Sequence, residues 1–241
     1  MRVEDAERNL RDYLVDGFTA ELFWADEAYA LAAEISQRVE QLRATTFERL
    51  FGSLHVILSD RQTLSITKIF EPENPRYPTR SIPAVLGLLE TNAGLWRMPE
   101  RRQLHQVLAD TGQDVVRLGR LSKAELTRTI VVYYRSTLPR QDRVNSSRLS
   151  LSLDVLRQSR DKVIAHNASV EKAALQMPTW GEATSLVNYV KDFVTTIGFG
   201  YLSIDFGLGR DGDRLTHDAR RTSSSLRRLL KAAGLAEGLR Y

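Results

Sequence analysis

The chain has 241 residues, 42% hydrophobic and 27% charged, a balance that excludes wholesale disorder and supplies enough apolar material for a substantial core. It has no cysteine, which excludes disulfides, thiolate metal sites and cysteine nucleophiles and fits a reducing, cytoplasmic setting. The formal net charge is +4, and all of that excess lies beyond Asp205: residues 206–241 hold seven Arg and one Lys against three Asp and one Glu.

The first residues, Met1-Arg2-Val3-Glu4-Asp5-Ala6-Glu7, are charged and lack the apolar core of a secretion signal. No apolar run approaches the roughly 20 residues of a membrane helix, so no membrane partner is expected. Ile35, Val39 and Leu42, then Phe47, Leu50, Leu54 and Leu58, recur at helical spacing and predict helices over about 21–43 and 46–70. Four of the seven prolines fall between Glu71 and Pro83, which reads as a loop. Shorter helices are predicted near 82–92, 99–110 and 122–137, the last opened by Ser122 and Glu125 as a capping box.

Two later stripes are the most regular. Leu149, Leu153, Leu156, Arg160 and Val163 are spaced 4, 3, 4, 3, and Ala183, Val187, Val190, Val194, Ile197, Tyr201 and Ile204 repeat that spacing. Such stripes suit antiparallel packing in a bundle. Gly198 and Gly200 either weaken the second stripe or permit a close approach of another part of the chain. Residues 207–213 form a glycine-rich break, and 214–233 predict a final basic helix. No strand run and no internal repeat stand out. The expected fold is all-α: a multi-helix bundle with long antiparallel helices over 1–205, including an N-terminal helical extension, followed by a basic tail or terminal helix over 206–241.

Arg160 carries the chemical signal. It takes a stripe position that an aliphatic residue would otherwise fill, and a guanidinium there must be paired or face a polar cavity. His166 follows six residues later, about 9 Å of rise and about 240° of rotation on a straight α-helix. The two side chains then converge only if the helix bends, or if two chains bring their segments together across a twofold axis.

Arg160-Asp161-Lys162-Val163-Ile164-Ala165-His166-Asn167, on a late helix of an all-α bundle, resembles the HEPN superfamily (higher eukaryotes and prokaryotes nucleotide-binding). Leu64-Ser65-Ile66-Thr67-Lys68-Ile69-Phe70, the proline-rich loop and Ser81-Ile82-Pro83-Ala84-Val85-Leu86 resemble its abortive-infection branch. The resemblance covers roughly residues 20–205. It implies a helical bundle, often dimeric, in a family with many metal-independent ribonucleases of phage defence or toxin–antitoxin systems and other members that have lost catalysis. Two further Arg-to-His spacings occur in the chain. Arg49 to His55 has Leu50 where the family has a polar residue, and Arg210 to His217 is interrupted by Gly212.

For such a ribonuclease the roles follow from the reaction. The RNA 2′-hydroxyl attacks its own phosphate once a base takes its proton, and histidine titrates near neutrality, so His166 is the acid/base candidate. A forked, permanently charged guanidinium suits the charge that builds on the phosphate, so Arg160 is the electrostatic stabiliser. Asp161 orients Arg160 or His166. Lys162 and Asn167 are candidate phosphate contacts, as are Arg220, Arg221, Arg227 and Arg228 in the basic tail. The implied partners are RNA, a second copy of the chain and an antitoxin such as a small nucleotidyltransferase. The competing expectation is a catalytically silent bundle that binds RNA or a partner protein.

Other signals are weaker. Gly207-Leu208-Gly209-Arg210-Asp211-Gly212 spells a dinucleotide fingerprint without the strand that must precede it. The four histidines form no H-x-x-x-H pair, so neither a metal nor any other cofactor is expected. His55 and His105 lie among helical apolar residues and read as structural, and Trp24, Trp96 and Trp180 sit near predicted helix ends as core or staple residues. Ser223-Ser224-Ser225 has no nearby base to activate a nucleophile.

Overall fold

The computed structural model describes residues 2–74, 76, 79–96, 120–139, 147–161, 179–207 and 214–235. Among them every regular element is a helix, as the periodicities predict. In chain order these are α1 (Val3–Arg11), a π-helical stretch (Asp12–Phe18), α2 (Thr19–Ser36), α3 (Val39–Arg43), α4 (Glu48–Ile69), α5 (Ile82–Thr91), α6 (Lys123–Thr137), α7 (Arg148–Ser159), α8 (Trp180–Leu202) and α9 (Arg214–Ala232). The helix expected near 99–110 lies outside the described residues.

Short polar residues start the helices by taking up otherwise unpaired backbone N–H groups. Ser122 and Glu125 form the expected capping box, and Thr179 and Glu182 form a second. Ser81 and Ser147 cap α5 and α7 singly, accepting from the N–H groups of Ala84 and Ser150. At the far end of α8, Ser203 turns left-handed at φ 54° and the Ile204 N–H bonds back to the Gly198 carbonyl. The Phe206 ring then lies across Gly198 so closely that a Cβ there would stand 2.2 Å from a ring carbon. The close approach anticipated for Gly198 is thus present.

The first helix is longer than its spacing predicts. Backbone angles stay right-handed through Arg11, Asp12, Phe18 and Thr19, so α1, the π stretch and α2 form one rod. Its buried stripe is Ala6, Leu10, Leu14, Phe18 and Leu22. Four steps of four residues would swing such a stripe by about 160° on an α-helix of 3.6 residues per turn. The wider π turn takes up that excess and keeps all five side chains on the core. At the other end the predicted helix over 21–43 is two pieces, broken at Gln37 and Arg38.

The main core joins this rod to the inner faces of α4, α5, α6, α7 and α8, around Phe18, Ile66, Trp96, Tyr134 and Phe193. Helices α2 and α4 run antiparallel: Glu21 pairs with Lys68 at one end, and Ser36 meets His55 at the other. Several buried polar groups find partners inside this core. Trp96 Nε1 donates to the Leu89 carbonyl, Tyr201 to Thr127, and Lys191 pairs with Asp26 at 2.5 Å. A second, smaller cluster joins Ile35, Leu42, Phe51 and Leu230 from α2, α3, α4 and α9.

Two apolar readings change. Phe47, Leu50 and Leu54 face outward, because the first half of α4 meets the small cluster through Phe51 and, in part, Leu58. Trp24 is not at a helix end. It sits exposed within the long rod, with the Arg61 guanidinium 4.8 Å above its ring.

Candidate functional site

The ends of α4 and α7 meet. Helix α4 stops at Ile69, where the Phe70 and Glu71 N–H groups close the last turn by donating to the Thr67 and Lys68 carbonyls. Two arginines one turn apart on α7 reach this end. Arg157 Nη2 donates to the Phe70 carbonyl at 2.8 Å, and Arg160 Nη1 donates to Glu71 Oε1 at 3.0 Å. Cations are favoured at the negative end of a helix, so the arginines of α7 add to Lys68 of the last turn of α4. Burial pushes the Arg157 guanidinium below its ordinary pKa, and the Asp154 carboxylate works in the opposite direction.

Arg160 also donates from Nε to Asp161 Oδ1 at 2.7 Å. Its side chain is 23% exposed, so the charge is neither sealed in the core nor fully solvated. These bonds use two of the five guanidinium donors. Around one positive charge stand two carboxylates, Glu71 and Asp161. The backbone leaves α-helical geometry here, entering a π-type turn at Arg160 and Asp161.

Glu71 links this pair to a cleft of about 700 Å³ between the π stretch and the chain that follows α4. Arg80 lies across that stretch, its stem against Gly17, and pairs with Asp12 at 2.6 Å. A Cβ on Gly17 would come 2.8 Å from Arg80 Cδ, so glycine permits this crossing.

The family model AbiU2, of HEPN type, matches residues 8–226. The chain belongs to this HEPN abortive-infection family. No curated protein and no solved structure matches it. The AbiU2 match begins within α1 and runs into α9, so it takes in the long rod from residue 8 onward and most of the last helix.

In this AbiU2-family chain the expected site residues divide as follows. Arg160 and Asp161 are in contact, with Glu71 as a third member. Lys162, His166 and Asn167 lie outside the described residues, as does His105. Arg220, Arg221, Arg227 and Arg228 are exposed on α9. That helix is docked along α2 in the same sense. Thr222 donates to Glu27, and Arg227 makes two hydrogen bonds to Glu34 at 3.0 and 2.9 Å. Glu34 is only 3% exposed and also holds Arg38. Chiefly the Arg227 hydrogen bonds, with help from Arg38, hold the Glu34 carboxyl below its usual pKa against the opposing effect of burial. Arg227 is thus committed to α2, whereas Arg220, Arg221 and Arg228 make no ion pair among the described residues.

Sequence reasoning missed Glu71 and Arg157. Glu71 looked like the first residue of a proline-rich loop, and nothing local marks it as a partner for a residue 89 positions away. Arg157 had a signal: it lies three residues before Arg160, one turn along the same helix. No helix among the described residues is long and apolar enough to cross a membrane.

Proposed function

We propose that this chain is a metal-independent endoribonuclease that acts in the cytoplasm as a phage-defence effector or toxin. The observation that supports it most is Arg160: a partly buried guanidinium at the end of α7, with unused donors, in a chain of the HEPN abortive-infection family. In this reading His166 takes the proton of an RNA 2′-hydroxyl. The 2′-oxygen bonds to the neighbouring phosphorus, the bond to the 5′-oxygen breaks, and that oxygen leaves with a proton from the acid form of a second His166 in a dimer. The products are a 2′,3′-cyclic phosphate and a 5′-hydroxyl. Arg160 stabilises the charge on the phosphorane, and Asp161 fixes the Arg160 fork. Lys162, Asn167 and the free arginines of α9 hold the backbone, and a neutralising antitoxin such as a small nucleotidyltransferase completes the system.

The test is RNA cleavage by the purified chain. Excess EDTA should leave the activity intact, and the products should carry 2′,3′-cyclic ends. His166→Ala and Arg160→Ala should each lower the rate at least a hundredfold, the lower end of what one positioned acid/base or oxyanion donor contributes. Full activity in either variant overturns the assignment. Two carboxylates on Arg160 favour a second reading, a bundle that binds RNA or protein without cutting it. That reading predicts RNA binding with no cleavage under any of these conditions.

A further inference from the structure

A separate cavity of about 180 Å³ lies between α4, the last turn of α7 and the start of α8. Its lining is unlike that of a core void. Gln62, Thr63 and Ser159 are 4%, 5% and 7% exposed, and their side chains make no hydrogen bond among the described residues. Their polar atoms are not sealed off, so water in the cavity can bond to them and a polar ligand can take its place. Asp60 adds a carboxylate, whose pKa burial raises. Trp180 supplies an aromatic wall, itself held edge-on by Tyr29 and His55.

The dimensions and chemistry select a class of ligand. The volume is below the 300–1,000 Å³ typical of whole drug-sized sites. It corresponds to about six waters, or to one planar ring system. The wall is aromatic, and the polar groups present a carboxamide, two hydroxyls and a carboxylate. This is the set that reads the edge of an unstacked base, which proteins commonly stack on an aromatic ring while hydrogen-bonding its donors and acceptors. A second cavity of about 280 Å³ shares Gln62 and is lined also by Arg220. A nucleotide seated by its base between α4, α7 and α8 would thus have a cation available for its phosphate.

We propose that the cavity around Gln62, Thr63, Ser159 and Trp180 takes one unstacked nucleobase of single-stranded RNA and gives the chain its base preference. The proposal deepens the ribonuclease reading and rests on it for the biological substrate. Ser159 directly precedes Arg160 in the chain, so the cavity and the proposed phosphate-stabilising residue share the end of α7.

The test uses the full chain and four 2′-deoxy hexanucleotides, one for each base and with deoxyuridine for the fourth, which cannot undergo 2′-hydroxyl cleavage. Binding is followed by titration calorimetry, a readout that does not depend on Trp180. The wild type should favour one base by about tenfold or more. Trp180→Ala should weaken binding of the favoured hexamer by fivefold to a hundredfold, the range for one stacked base. Gln62→Leu should reduce the preference to within about twofold while the melting temperature holds, since the Gln62 side chain bonds to no other group among the described residues. Equal binding of all four hexamers overturns the proposal, as does a preference unchanged by Gln62→Leu. If the wild type also cuts RNA, its cleavage sites should show the same base preference and lose it in Gln62→Leu. Cleavage with an undisturbed preference overturns the pocket and leaves the ribonuclease standing. Gln62-dependent base selection without cleavage supports the pocket and overturns the ribonuclease.

Discussion

At the scale of single residues, glycine and arginine show how much depends on a neighbour far along the chain. Gly198 sits within α8, one turn before its end, where alanine would ordinarily gain up to about 1 kcal/mol. The Phe206 ring occupies the space a methyl group would need, so overpacking outweighs propensity. Gly198→Ala should lower stability by about 1–2 kcal/mol, read from the shift in urea midpoint at constant slope. No loss would mean that the ring moves aside freely. Arg160 teaches the converse lesson. Its place on an apolar stripe indicates that it must be paired, and the structure pairs it. The partner Glu71 was not legible, because an ion pair across 89 residues leaves no periodic trace.

At the scale of elements, α9 is more than a charged tail. Ala219 and Leu230 are buried, and Glu34 ties Arg227 to α2. The sign of its pH response follows from the Glu34 carboxyl, which is held below its ordinary value. That contribution to stability is fully present above the ordinary carboxylate range and is lost as pH falls through the lowered value. Acid should therefore release α9 before the main core unfolds, seen as amide exchange in 214–232 that rises first on acidification. Glu34→Ala should cost about 1–3 kcal/mol at neutral pH, the worth of charged hydrogen bonds that it breaks, discounted because Arg227 is half in water. Deleting everything beyond Asp205 would uncover apolar surface on α2 and confound a binding assay, so the RNA test belongs on the exposed arginines. Replacing Arg220, Arg221 and Arg228 together by Ala should flatten the log–log salt dependence of single-stranded RNA binding by about 2, from about 0.7 per phosphate contact. An unchanged slope would remove α9 from the interface.

The element boundaries show why some of the fold was legible and some was not. The starts of α6 and α8 are written in Ser122-x-x-Glu125 and Thr179-x-x-Glu182, local signals that no tertiary contact overrides. The apolar spacing of α8 lies on one face and reads directly. In the first half of α4 two faces compete: Phe47, Leu50 and Leu54 have helical spacing, yet Phe51 is the side chain that finds a partner. Spacing establishes that a helix is present without establishing which side of it is covered.

At the scale of the whole molecule, the family assignment and the all-α class agree, whereas the geometry joining Arg160 to His166 is still a proposal. A twofold dimer with the 160–166 segments facing each other would gather four catalytic side chains around one cleft. Mixed dimers of Arg160→Ala and His166→Ala chains should then recover part of the activity if each site draws its arginine and histidine from different copies. Verified heterodimers with no recovery would exclude the shared arrangement, and an active enzyme that sediments only as a monomer would exclude the dimer.

The rod that opens the chain has a consequence for how its relatives are compared. Sixteen residues separate Ala6 from Leu22 on the buried stripe, where four α-turns span about 14.4. The π stretch stores the surplus in place instead of extruding it as a loop. A relative with a strictly α-helical rod would align to this one only across a gap inside the helix, with no break in the rod to mark it. The first helix thus absorbs a change of chain length while leaving the core on its far side in register, and Asp12–Phe18 is where an insertion or deletion would be hidden from view.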